Sequence, residues 1–329
     1  MPDLAPSSLA ELAVVQRSGF PESRHYGTLV GLAADGTVAL SLGPTPAPIL
    51  PRSSVKPWQA VGCRDAGLRL DTRQTAISAG SHTGEDAHVE TVRGILAAAG
   101  LDDTALRCPP DWPEHEPTRN QLIRAGAARS AVRMNCSGKH AAMLAACVHN
   151  GWPTETYLDP EHPLQQRIRA VLEHDTGQPV STVAVDGCGA PLFGTTVLGL
   201  ARAGHRLVTA APGSDARAVA DAMRAEPFYV GGTAHPNTEL MRRLPGVLGK
   251  GGAEGVIVAA AATGQSVAMK IVDGSPRATT LLALAALRAL GVATAPAGDL
   301  AEVAVLGGGR PVGEIRVGAD LARALDGLR

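Results

Sequence analysis

His25-Tyr26-Gly27-Thr28-Leu29-Val30-Gly31-Leu32, then Ala33-Ala34-Asp35-Gly36, then Thr37-Val38-Ala39-Leu40-Ser41-Leu42, reads as two strands folded about an Asp-Gly turn. Working outward, Leu12-Ala13-Val14-Val15-Gln16 is a further strand. A second hairpin, 255–262 and 266–272 around Thr263-Gly264, stands near the other end, with a short strand at 312–317. Between them a proline-rich crossing, 44–51, delivers the chain to Ser53. A helix from there to about Ala66 tolerates Pro57 because that residue falls in the first turn. Helical periodicity follows: 86–99, with Val89, Val92, Leu96 and Ala99 on one face, then 118–127, 139–149, 164–174, 192–203 and 215–225. An apolar helix spans 279–290. The layout predicts an α/β (α+β) protein whose antiparallel sheet is built from both termini with a helical insertion. It reads as one domain, 1–329, with 1–75 and 245–329 forming the sheet and 76–244 mainly helical.

The totals narrow the function. A formal charge of -1 and 3% aromatic residues give neither the electrostatics nor the stacking platforms of a nucleic-acid binder. The longest strictly apolar stretch, 141–148, is well short of a membrane span, and no basic-then-apolar leader opens the chain. Five cysteines without an export signal read as thiols or ligands, and the expected location is the cytoplasm.

Lysine usage points to the chemistry. Against 26 arginines the chain has four lysines: Lys56, Lys139, Lys250 and Lys270. A lysine can lose its proton when buried or crowded by cations and then serve as a base or a metal ligand, whereas arginine stays charged. Ser53-x-x-Lys56 at a helix start places a hydroxyl and an amine on one face; read alone, it is also a capping serine beside a solvated lysine. Ser81-His82-Thr83-Gly84-Glu85 is either a capping turn or a second presented hydroxyl. Cys136-Ser137-Gly138-Lys139-His140 opens a helix, and Asp186-Gly187-Cys188-Gly189 offers a second thiol on a glycine-rich turn. Together they form a candidate open metal site, although no ordinary zinc spacing occurs. Cys63, Cys108 and Cys147 read as inert buried thiols. Lys250-Gly251-Gly252-Ala253 is either a loop or an edge strand whose glycines let a substrate approach backbone amides.

These segments resemble the rhizobial-type (thermolabile) L-asparaginases. The match runs in order through Glu22-Ser23-Arg24-His25-Tyr26-Gly27, Pro51–Gln59, Ser81–Glu85, Cys136–His140, Val185–Pro191 and Gly252–Val256. The resemblance implies a fold like that of serine β-lactamases and serine-dependent glutaminases. It also implies hydrolysis of L-asparagine to aspartate and ammonia through a β-aspartyl acyl-enzyme, and a homodimer. It assigns Ser53 and Lys56 to one catalytic pair and Ser81 and Lys250 to a second. Cys136, Lys139 and Cys188 match zinc ligands, while Arg52, His140, Asp186 and Ala253 match the substrate pocket. The stretch 231–239 departs from the pattern: His235 and Asn237 stand where relatives often carry an arginine and a cysteine. The alternatives are a glutaminase or a β-lactam or peptide hydrolase on the same scaffold, a Cys136 nucleophile with His140 as base, and a non-catalytic zinc- or amino-acid-binding homologue.

Overall fold

In the computed structural model, which describes residues 4–328, strands from the two ends of the chain interleave in one antiparallel sheet. Its order runs Val303–Gly307, Arg310–Val317, Ala10–Arg17, Phe20–Leu32, Ser266–Ile271, Val256–Ala261, Val247–Gly252, and Val38–Leu42 pairs with the far half of Phe20–Leu32. The first and last strands of the sequence are therefore neighbours in the sheet, Val15 opposite Ile315. The outermost ends of the predicted 1–329 domain, residues 1–3 and 329, lie outside the described residues.

Side chains alternate across a strand, and here both faces are buried. Val30, Leu32, Leu248, Val258 and Ala268 join a core shared with the helices Lys56–Asp65, Ser137–Asn150 and Val197–Thr209. Leu29, Ile257, Ala259, Val267 and Met269 face a second core, closed by Thr279–Ala289 and Ala319–Asp326. That double burial explains the apolar runs of the strands near the C-terminus, which lack a polar face. Gly204 lets the helix Val197–Thr209 lie directly on the sheet: a Cβ there would sit 2.5 Å from Ser266 Oγ and 2.9 Å from Val258 Cγ2.

The predicted hairpins are present, and the helix expected over 215–225 is found as Asp215–Ala225. The helix expected over 192–203 is corrected. Pro191–Phe193 pairs with Val183–Val185, Thr195–Thr196 with Pro48–Ile49, and the helix starts only at Val197. The Thr196 side chain caps it by accepting from the Gly199 amide, which fixes the start. The short helix Thr72–Ser78 and the final helix Ala319–Asp326 have no counterpart in the sequence reading.

Candidate active site

A cleft of about 680 Å3 opens where the edge strand Val247–Gly252 meets the helical part, and Ser53, Ser81, Asn135, His235, Asn237 and Ala253 line it. Ser53 lies on a 3-10 turn, Arg52–Val55, that runs into the helix Lys56–Asp65. Arg52, just before it, holds φ at +51°, in the left-handed region that costs a non-glycine residue energy. Ala234 and Glu254 do the same at +57° and +63°, so three of the four such residues described flank this cleft. Strain of this kind is retained where surrounding structure over-determines a functional geometry.

Gly252 brings strand and turn together. A Cβ on it would stand 2.9 Å from Pro51 O and Ser54 N and 3.1 Å from Ser53 N. Alternation along the same strand turns Lys250, fully buried, towards the helical side with Leu248. Its Nζ donates to Ser81 Oγ at 2.9 Å and to Gly251 O at 2.6 Å. Lys56, 1% exposed, donates to the same Ser81 Oγ at 2.9 Å and to Gly80 O at 2.6 Å. Ser81 is thus bracketed by two buried lysines. No hydrogen bond links Lys56 to Ser53 among the described residues; the hydroxyl that Lys56 meets is that of Ser81. Burial, and then the charge of Lys56, push Lys250 well below the ordinary lysine range. This environment drives Lys250 towards the neutral, proton-accepting form. His235 is likewise held neutral: burial and Lys250 lower it to about 4.

Beside the cleft the other predicted residues converge on a second cluster. Cys136 immediately precedes the helix Ser137–Asn150, Lys139 sits on its first turn, and Cys188 lies on the turn between Val183–Val185 and Pro191–Phe193. Lys139 Nζ is 3.0 Å from Cys188 Sγ, and Asp186 Oδ2 is 3.8 Å from the same sulfur. Arg52 Nε donates to Asp186 Oδ1 at 2.8 Å and so joins this cluster to the Ser53 turn. A hydrogen bond from Cys136 and the charge of Lys139 outweigh burial and lower Cys188 to about 5. Cys136 donates that bond, is buried, and is raised to about 12. Burial would lower Lys139, but the two sulfurs raise it. The cluster is therefore a thiolate–ammonium pair with a neutral thiol beside it. Burial would raise Asp186, yet Arg52 and Lys139 hold it below the usual carboxylate range.

His140 is buried and lowered to about 3, chiefly by desolvation; its Nδ1 meets Tyr157 Oη at 2.6 Å and its Nε2 has no partner among the described residues. Cys63, Cys108 and Cys147 are buried thiols, each raised to about 12 by desolvation. Lys270, on the strand Ser266–Ile271, donates to Glu254 O at 2.6 Å and to Ile271 O, and so ties the Glu254 turn to the sheet.

Among the described residues no group of three or more His, Cys, Asp or Glu side chains is arranged to hold a metal ion. Two sulfurs and one nitrogen, from Cys136, Cys188 and Lys139, stand together here with a carboxylate at their edge. Asn135, Glu114 and Arg277 also line the cleft and were not singled out by the sequence. Asn135 stands beside Cys136 and donates to Glu114 Oε1 at 2.7 Å, whereas Glu114 and Arg277 lie in segments without a distinguishing pattern.

Fold and site together define a mixed α/β protein whose cleft joins a serine flanked by two buried lysines to a cysteine–lysine cluster. The L-asparaginase II family model matches residues 13–317, and the chain belongs to that family, which makes it an amidohydrolase of the L-asparaginase type. A search of curated proteins gave no match. Solved structures similar to it include a β-lactamase from Mycobacterium bovis, at 17% identity and a TM-score of 0.44, covering 80% of this chain and 93% of that one. Another is Mglu in its glutamate form, at 13% identity and a TM-score of 0.48, covering 81% of this chain and 62% of that one. A putative β-lactamase from Bacteroides dorei matches at 13% identity and a TM-score of 0.40, covering 76% and 86%. No helix among the described residues is long and apolar enough to cross a membrane.

Proposed function

We propose that the protein hydrolyses the side-chain amide of L-asparagine, with Ser53 as nucleophile and the Lys56–Ser81–Lys250 chain as its proton path. The observation that carries this reading is Ser81 Oγ held at 2.9 Å by both lysines in the cleft that Ser53 lines. Ser53 Oγ attacks the carboxamide carbon and gives its proton to a neutral lysine of the pair. Ser81 passes a proton to the departing nitrogen; ammonia leaves and a β-aspartyl ester remains. Water, deprotonated by the same chain, adds to the ester; aspartate leaves and Ser53 regains its proton. The amides of Ser53 and Ala253 are the candidate oxyanion donors, each worth about 3 kcal/mol.

Cys136, Lys139 and Cys188 would hold a zinc ion, which when bound supplies Lewis-acid polarisation and a fixed frame for the pocket wall. Arg52, Asp186 and His140 orient that wall. A Cys136 nucleophile gains no support from a buried thiol raised to about 12. The homodimer and the cytoplasmic location belong to the same proposal.

Ammonia release from asparagine should fall by about 10^3-fold or more in Ser53→Ala, with metal content measured on both proteins. Full activity in that variant would sink the assignment. Parallel turnover of glutamine and a chromogenic β-lactam separates the related hydrolases, and zinc retention without any ammonia release would identify a binding protein. The two lysine contacts on Ser81 favour one second reading, with Ser81 as nucleophile. Mass spectrometry of the trapped ester decides between the serines.

A further inference from the structure

Two hydrogen-bond donor groups lie along the cleft: a carboxamide NH2 without an acceptor and a guanidinium without a carboxylate, among the described residues. Asn237, 4% exposed, opens the helix Pro236–Arg243 beside the edge strand. Its Oδ1 accepts from the Gly251 amide at 2.9 Å, which fixes the orientation of the carboxamide, since a flip would set an NH2 group against that N–H. Its Nδ2 is then a buried donor without a partner among the described residues. Such a group costs stability unless something pairs with it.

The second donor is Arg277, which lines the same cleft just before the helix Thr279–Ala289. Its Nε donates to His25 Nε2 at 2.8 Å and its Nη2 to Ser23 Oγ at 3.0 Å. His25 is buried and meets Asp273 Oδ2 through Nδ1 at 2.5 Å. Ser23 and His25 of the Glu22–Gly27 segment thus hold this guanidinium in place. No carboxylate among the described residues pairs with Arg277, because Asp273 is engaged by His25.

An oriented neutral donor and an unpaired guanidinium on one cleft are the groups that recognise a carboxylate. We propose that Asn237 and Arg277 form a carboxylate-binding subsite, which holds the substrate's carboxylate while its side-chain amide lies at Ser53. The inference rests on the asparaginase reading. That carboxylate is either asparagine's own or the C-terminal group of an asparagine-containing peptide, which a cleft of about 680 Å3 has room for.

Asn237→Asp keeps the acceptor for Gly251 and turns the donor into a negative charge; Arg277→Gln removes the cation at an exposed position. Both are compared with the wild type on asparagine and its α-N-methylamide, and on asparaginylglycine and its C-terminal amide. Each pair should lose at least tenfold of its preference for the carboxylate form, mainly through KM, if its carboxylate occupies the subsite. Loss on the first pair assigns asparagine's own group, and loss on the second pair alone assigns the peptide's. Preferences within threefold of wild type on both pairs overturn the proposal. Binding of L-aspartate and of aspartylglycine, measured by calorimetry on the same proteins, should weaken tenfold for at least one of the two ligands, and unchanged binding of both overturns the proposal without reference to turnover. A wild type that releases no ammonia from asparagine refutes the asparaginase reading, and the two titrations still decide the subsite.

Discussion

Lys250 couples the stability of the protein to pH. Its folded-state pKa is depressed by burial and by Lys56, below the ordinary value of 10.5. In the window between the depressed value and 10.5 the unfolded chain binds the extra proton, so this residue makes stability rise with pH there. Below that window both states are protonated and the full cost of the buried charge is present. Lys250→Met should therefore raise Tm at acidic pH, and the gain should shrink as pH climbs towards 10.5. A constant difference across a pH series of thermal melts would contradict the assignment. The same variant should lose about 10^2- to 10^4-fold in ammonia release. At the neighbouring cluster, Cys188 is lowered to about 5 while Cys136 and Lys139 hold their protons at neutral pH. Zinc uptake at pH 7 should release about two protons, measurable by calorimetry in buffers of different ionisation enthalpy; release of about one proton or fewer would exclude Lys139 as a ligand. The scarcity of lysine made three of these residues legible before any fold was known. It could not show that Lys56 bonds Ser81 rather than Ser53, because that contact depends on a loop brought in from elsewhere in the chain.

At the scale of elements, the site is the junction of an edge strand with a strained turn. Gly252 is not in the left-handed region, so its role is spatial: any Cβ would press on Pro51, Ser53 and Ser54. Gly252→Ala should push the strand from the turn, cost about 1–3 kcal/mol of stability, and lower kcat/KM by at least tenfold. Retention of full activity, read by steady-state ammonia release, would show that the Ser53 turn does not depend on this contact. Helix ends and hairpins with their own capping or turn residues were legible locally, as the Asp35-Gly36 hairpin shows. The start at Val197 was not, since Pro191–Phe193 is a strand only because Val183–Val185 lies beside it. Asn237 illustrates the same limit at the site: its donor became conspicuous only once Gly251 was seen to occupy the other half of the carboxamide.

For the whole molecule, the division into a sheet-forming part and a helical part describes the order of the chain rather than two separable units. Leu248 and Val258 from the sheet share a core with Trp58, Met143 and Leu200 from the helices, and Ala10–Arg17 is held between its own hairpin partner and Arg310–Val317. Neither part can expose that shared face without losing most of its apolar burial, which dominates folding free energy. We therefore predict one cooperative unfolding transition. Tryptophan fluorescence, with Trp58 fully buried in the shared core, and far-ultraviolet circular dichroism should give coincident urea curves. Leu248→Ala, on the sheet side of that core, should cost about 2–5 kcal/mol and shift both curves to lower urea by the same amount. If only one curve moved, or wild type unfolded in two resolved steps, the two parts would be independent domains and the active site would be a seam between them. A single transition would mean that the lysines around Ser81, contributed by a helix and a sheet strand, are held in register by the same core that keeps the protein folded.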